Sequence, residues 1–127
     1  MTGAQVLVVE DNEKNMKLFR DVLEASGYRL LEATTGEQAM ELAAEQQPNL
    51  VLMDIQLPDL DGVDALGRLR ADARTASIPV VALTAQAMHG DRERFLDAGF
   101  DAYISKPVDI VEFVKTVKEH CGEVDGE

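Results

Sequence analysis

Five short apolar runs, each followed by a longer amphipathic stretch, constrain this chain more than any other feature of it. The runs are VLVV (6–9), RLLEA (29–33), LVLM (50–53), VVAL (80–83) and AYI (102–104). Most are apolar throughout, which suits strands buried on both faces. The second holds fewer apolar residues, as an edge strand would. Strands alternating with helices give a parallel sheet with helices on both faces, because each crossover packs its helix back onto the sheet.

The stretches between the runs read as helices. Met16, Phe19 and Leu23, with Leu18 and Val22, recur at helical spacing before Gly27, which fits a C′ residue. Thr35-Gly36-Glu37-Gln38 fits a capping box ahead of Ala39, Met40 and Ala43. Val63, Leu66 and Leu69 follow Gly62, and a fourth helix is expected over 91–98, ended by Gly99. Asp109 and Glu112 cap a fifth, with Ile110, Phe113, Val114 and Val117 expected on its buried face.

A chain of 127 residues, 46% apolar and 28% charged, is expected to form one globular domain. The reading is a single domain over 1–127, its core about 5–121, with a flexible acidic tail over 122–127. A bilayer span needs about 20 apolar residues, and no run approaches that. The first five residues lack the basic and apolar parts of a signal peptide, so a cytoplasmic location is expected. The net charge of −12 argues against binding nucleic acid, whose affinity depends on clustered Lys and Arg. Cys121 is the only cysteine and reads as a small apolar residue near the end of the last helix.

The polar residues fall at the strand ends. Glu10 and Asp11 follow the first strand, Asp54 ends the third, Thr84 ends the fourth, and Ser105-Lys106-Pro107 follows the fifth. In an open α/β sheet those ends face one crevice, the usual ligand site. Singly, each has a plain structural reading as a cap, a turn or a solvated lysine. Together they put three carboxylates, a hydroxyl and an ammonium in one place.

Charge then selects the chemistry. Two carboxylates about 4 Å apart repel by roughly 4 kcal/mol at an effective dielectric of 20. Three in one crevice need protons or a cation. Hard oxygen ligands without His or Cys favour Mg²⁺ or Mn²⁺. A divalent ion and Lys106 together neutralise three carboxylates, an arrangement suited to phosphoryl transfer with a carboxylate nucleophile.

VLVVEDN, LVLMDIQLPDLDG, VVALTA and AYISKP, in that order, resemble the receiver domains of two-component response regulators. VEDNEKNMKLF, LMDIQLP and AMHGDRERFLDAGFDAYISKP are similar to DivK-type stand-alone receivers. The resemblance implies a CheY-like, flavodoxin-like doubly wound fold: a five-stranded parallel sheet, order 2-1-3-4-5, flanked by five helices. It implies that Asp54 is the phosphoacceptor. It implies a metal site of Asp11, Glu10 through water, Asp54 and the Gln56 backbone carbonyl. Thr84 and Lys106 would contact phosphoryl oxygens, Tyr103 would be the aromatic switch, and Lys106-Pro107 would be cis. A histidine kinase or phosphotransfer protein would be the donor. A protein effector would meet the face formed by the fourth helix, fifth strand and fifth helix, with no nucleic acid or membrane as partner.

Glu10 stands where many receivers have Asp, and Gln56 and Gln86 occupy variable positions that tune acyl-phosphate lifetime in the family. His89 and His120 read as surface residues. The expected function is a single-domain response regulator that turns over no separate substrate. Two alternatives stand beside it. One is a receiver module of a hybrid histidine kinase. The other is a phosphatase of the haloacid dehalogenase type, which expects Asp at the position of Gln56.

Overall fold

A computed structural model describes residues 4–85 and 91–121, with the side chains of residues 91 and 92 left aside. Gln86, His89 and the expected tail over 122–127 lie outside the described residues. The chain runs β1 (Gln5–Val9), α1 (Glu13–Ala25), β2 (Arg29–Ala33), α2 (Gly36–Gln46), β3 (Leu50–Asp54), α3 (Gly62–Ala71), β4 (Val80–Thr84), α4 (Asp91–Ala98), β5 (Ala102–Ser105) and α5 (Ile110–Cys121). All neighbouring strands are parallel and their order is 2-1-3-4-5, as expected. β2 is an edge, which matches its mixed composition.

Side chains alternate across the sheet with the period of two that a strand imposes. Leu7, Val9, Val51, Met53, Val80 and Ala82 pack with Ala39, Ala43, Leu66, Leu69 and Phe95, so α2, α3 and α4 cover one face. Val6, Val8, Leu50, Leu52, Val81 and Leu83 pack with Met16, Phe19, Leu23, Phe113 and Val117, so α1 and α5 cover the other. The Phe19 and Phe113 rings stack across α1 and α5 with centroids 5.2 Å apart.

Helix ends follow local chemistry. Gly27 takes φ 92°, and the Gly27 and Tyr28 amides donate to Glu24 and Leu23, the paired bonds of a Schellman motif. Thr35 accepts from the Gln38 amide, but the Gln38 side chain returns to the Thr34 amide rather than to Thr35. The expected capping box is therefore shifted by one residue on its return bond. Asp109 caps α5 through the Glu112 amide.

The apolar stripe of α5 is narrower than its sequence suggests. Phe113 and Val117 are buried, Val114 is half-buried, and Ile110 is 41% exposed. Ile110 falls outside the stripe because α5 meets the core through Phe113 and Val117, with Val114 and Cys121 packed at its margin.

Candidate functional site

Strand ends set the site. Asp54 is the last residue of β3, and its strand is paired to β4 through Leu83, so Thr84 ends β4 one residue further on. Thr84 pairs with Ser105 across β4 and β5, and its carbonyl accepts from the Lys106 amide at 2.8 Å. Glu10 follows β1 and its amide donates to Ala33 of β2. These bonds carry Lys106 and Glu10 to the crevice. The Lys106–Pro107 bond is cis.

Lys106 Nζ donates to Glu10 Oε1 at 2.9 Å and to Asp54 Oδ2 at 3.0 Å. The second Glu10 oxygen accepts from the Asn12 amide at 3.1 Å and from Asn15 Nδ2 at 3.5 Å. Asp54 Oδ1 accepts from the Gln56 amide at 2.9 Å. Glu10, Asp54 and Thr84 are buried, whereas Asp11 is exposed at the mouth.

Burial raises the Glu10 carboxyl above its ordinary range. The Asp54 charge adds to that, while the Lys106 and Asn12 hydrogen bonds oppose it. Burial alone would lower the Lys106 ammonium, but the hydrogen bonds and charges of Glu10 and Asp54 outweigh it, so Lys106 stays charged. Among the described residues, one ammonium thus meets two buried carboxylates, with Asp11 clustered beside them.

Oxygens of Glu10, Asp11 and Asp54 all lie within 4.8 Å of one another. Three hard oxygen donors, with excess negative charge and one donor facing solvent, fit a divalent cation of the magnesium type. Among the described residues, no other group of three His, Cys, Asp or Glu side chains meets that spacing.

Tyr103 sits apart from the carboxylates. It lies on β5 opposite Ala82 and packs against the α2–α3–α4 side of the core. It lines a groove of about 370 Å³ with Leu96, Glu112 and Thr116. His120 is half-buried, its ring facing the Thr116 carbonyl at 3.0 Å, rather than open on the surface.

Sequence reasoning missed Asn15 and Asp59. Asn15 is the third residue of α1, and its spacing from Glu10 marks no motif. Asp59 binds the amides of Gly36 and Glu37, more than twenty residues away, and no local pattern announces that.

A five-stranded parallel sheet with an acidic crevice and a lysine at its strand ends defines a class, and the sequence match makes it specific: the chain belongs to the response regulator receiver domain family over residues 6–118. Among its relatives are the polar-differentiation response regulators DivK of Brucella ovis and Brucella anthropi. Each is 49% identical over 118 residues, which is 93% of this chain and 96% of that protein. Among solved structures it resembles the receiver domain of sensor histidine kinase PA1611 from Pseudomonas aeruginosa, which has magnesium coordinated in its active site cleft. That match has a TM-score of 0.87 and 37% identity, and covers 96% of this chain and 100% of the other. The chemotaxis response regulator CheY4 of Vibrio cholerae shares the fold, with a TM-score of 0.86 at 21% identity over 93% of this chain and 98% of that one.

Proposed function

We propose that Asp54 accepts a phosphoryl group from a phosphohistidine of a histidine kinase or phosphotransfer protein, and that the chain acts as a single-domain response regulator. The observation that carries this reading is the bridge from Lys106 to Glu10 and Asp54, set beside three clustered carboxylates.

Glu10, Asp11, Asp54 and the Gln56 carbonyl would hold Mg²⁺ or Mn²⁺. That cation supplies charge neutralisation for the incoming phosphoryl oxygens. An Asp54 carboxylate oxygen attacks phosphorus while the N–P bond to the donor imidazole breaks, leaving an acyl phosphate and a histidine. Lys106 contacts one phosphoryl oxygen and the Thr84 hydroxyl another. Burial of Asp54 and Glu10 strengthens each of these interactions by excluding water. The chain turns over no separate substrate.

Identity of 49% to the DivK regulators, against 37% to the receiver domain of a sensor histidine kinase, supports a stand-alone regulator over a module of a hybrid kinase. The effector face is the groove between α4, β5 and α5, where Tyr103 lies next to the strand that ends in Thr84. A net charge of −12 weighs against nucleic acid as a partner. No described helix is long and apolar enough to cross a membrane, and a cytoplasmic location agrees with that.

The test is phosphotransfer profiling against the sensor kinases and phosphotransfer proteins of the source organism. Rapid labelling by one donor, lost in Asp54→Asn, supports the reading, and failure of every donor to label the chain contradicts it.

A further inference from the structure

Asp59 is exposed, yet both its carboxylate oxygens are engaged. One accepts from the Gly36 amide at 2.7 Å and the other from the Glu37 amide at 3.1 Å. These are free donors at the start of α2, a helix that already has its own cap in Thr35. The bonds therefore hold the loop to the helix at least as much as they serve the helix itself.

A contact beside them does the same. Leu60 lies so close over Gly36 that a Cβ there would come within 2.6 Å of Leu60 Cδ1. The base of the loop is closed as well. The Gly62 amide donates to the Ile55 carbonyl at 2.9 Å, and a Cβ on Gly62 would meet Ile55 Cα at 2.7 Å. Gln56 bridges to Asp61 across that base, and its amide also holds Asp54. The segment between β3 and α3 is thus shut at its base and tied at its tip.

We propose that Asp59 is a positioning residue for the cation site, clasping α2 so that the Gln56 carbonyl stays fixed at the crevice. The inference rests on the assignment of that carbonyl as a metal ligand. A backbone ligand has no side-chain torsion with which to adjust, so its placement is the placement of the loop. Groups that orient metal ligands typically change metal affinity about 10–100-fold when removed.

The ion pair of Arg68 with Glu37 provides the control. Its two bonds, 2.6 and 3.2 Å, join α3 to α2, and Arg68 acts on Asp59 through charge rather than through a hydrogen bond.

The experiment measures Mg²⁺ affinity by calorimetric titration, and amide exchange at Gly36 and Glu37, in wild type, Asp59→Ala, Asp59→Asn and Arg68→Ala. Asp59→Ala should weaken Mg²⁺ about tenfold and speed exchange at both amides. Asp59→Asn keeps one acceptor oxygen and should fall between it and wild type. Arg68→Ala should leave the Mg²⁺ affinity unchanged. Should Asp59→Ala fail to fold, Asp59→Asn decides alone. Unchanged affinity in the Asp59 variants, unchanged exchange, or an equal loss in Arg68→Ala overturns the clasp and leaves the cation site standing. A wild-type chain that binds no Mg²⁺ overturns the cation site and the clasp with it.

Discussion

Lys106 Nζ lies 3.0 Å from Asp54 Oδ2, two residues separated by 52 positions in sequence and brought together by the ends of β3 and β5. The same ammonium reaches Glu10 Oε1 at 2.9 Å. Among the described residues it is the one basic side chain within hydrogen-bonding distance of both buried carboxylates, so its removal leaves them to repel each other.

Lys106→Met should therefore destabilise the metal-free protein by about 3 kcal/mol, the cost of breaking a buried pair from one side. Saturating Mg²⁺ should recover part of that loss, because a cation at the same carboxylates replaces the missing charge. Urea denaturation with EDTA and with Mg²⁺ measures both. A loss that Mg²⁺ leaves untouched would place the cation away from Glu10 and Asp54.

Glu10 sets a pH dependence. Its folded carboxyl is raised above the ordinary value of 4.5, chiefly by burial. Above pH 4.5 the folded state then holds more protons than the unfolded state, so stability falls as pH rises through the folded value. Glu32, Glu37, Asp59 and Asp72 are lowered instead, by hydrogen bonds from Arg20, Arg68, the Gly36 amide and Arg74 respectively. Their contribution is complete by the pH at which that of Glu10 begins to fade. Denaturation of the metal-free protein over pH 5–8 (about the range where carboxylates are otherwise ionised) should show a decline that Glu10→Gln flattens. An equal decline in that variant would assign it to another group.

Asp11 faces solvent, so its loss should spare the fold and affect the cation. Mg²⁺ should raise the thermal midpoint of the wild-type chain by mass action, about 2.7 kcal/mol of stabilisation at a hundredfold excess over Kd. Asp11→Ala should retain the metal-free midpoint and lose most of the Mg²⁺ response. Equal responses in the two proteins would put the ion elsewhere.

Thr84 is buried at the end of β4, whose partner strand carries Tyr103. A phosphoryl oxygen that draws the Thr84 hydroxyl toward the crevice would open space for the Tyr103 ring. Converting a switch from 1:99 to 99:1 takes about 5.5 kcal/mol. One charge-assisted hydrogen bond supplies roughly 1.5–3 kcal/mol. Lys106 and the cation contacts must therefore share the load, or the shift is partial. Thr84→Ala should still accept phosphate and show a smaller gain in effector affinity with beryllofluoride, measured by titration. An unchanged gain would remove Thr84 from the coupling.

The sheet was legible because burial on both faces makes β1, β3 and β4 continuously apolar, and Asp54 and Thr84 then stand out as the first polar residues after each run. Strand order came from the resemblance, since periodicity carries no information about which strands are neighbours. Helix faces were less legible. Ile110 shares the helical spacing of Phe113, Val114 and Val117, yet it is 41% exposed while those three pack on the core, and the position of α5 decides that. The Asp59 clasp was invisible in sequence because both of its acceptors meet donors on α2, across β3 and more than twenty residues earlier in the chain.

Asp54 carries the central claim. Incubation with acetyl phosphate and Mg²⁺, followed by intact-mass analysis, should show one added phosphoryl group on the wild-type chain and none on Asp54→Asn. Labelling of Asp54→Asn to the wild-type extent would contradict the account.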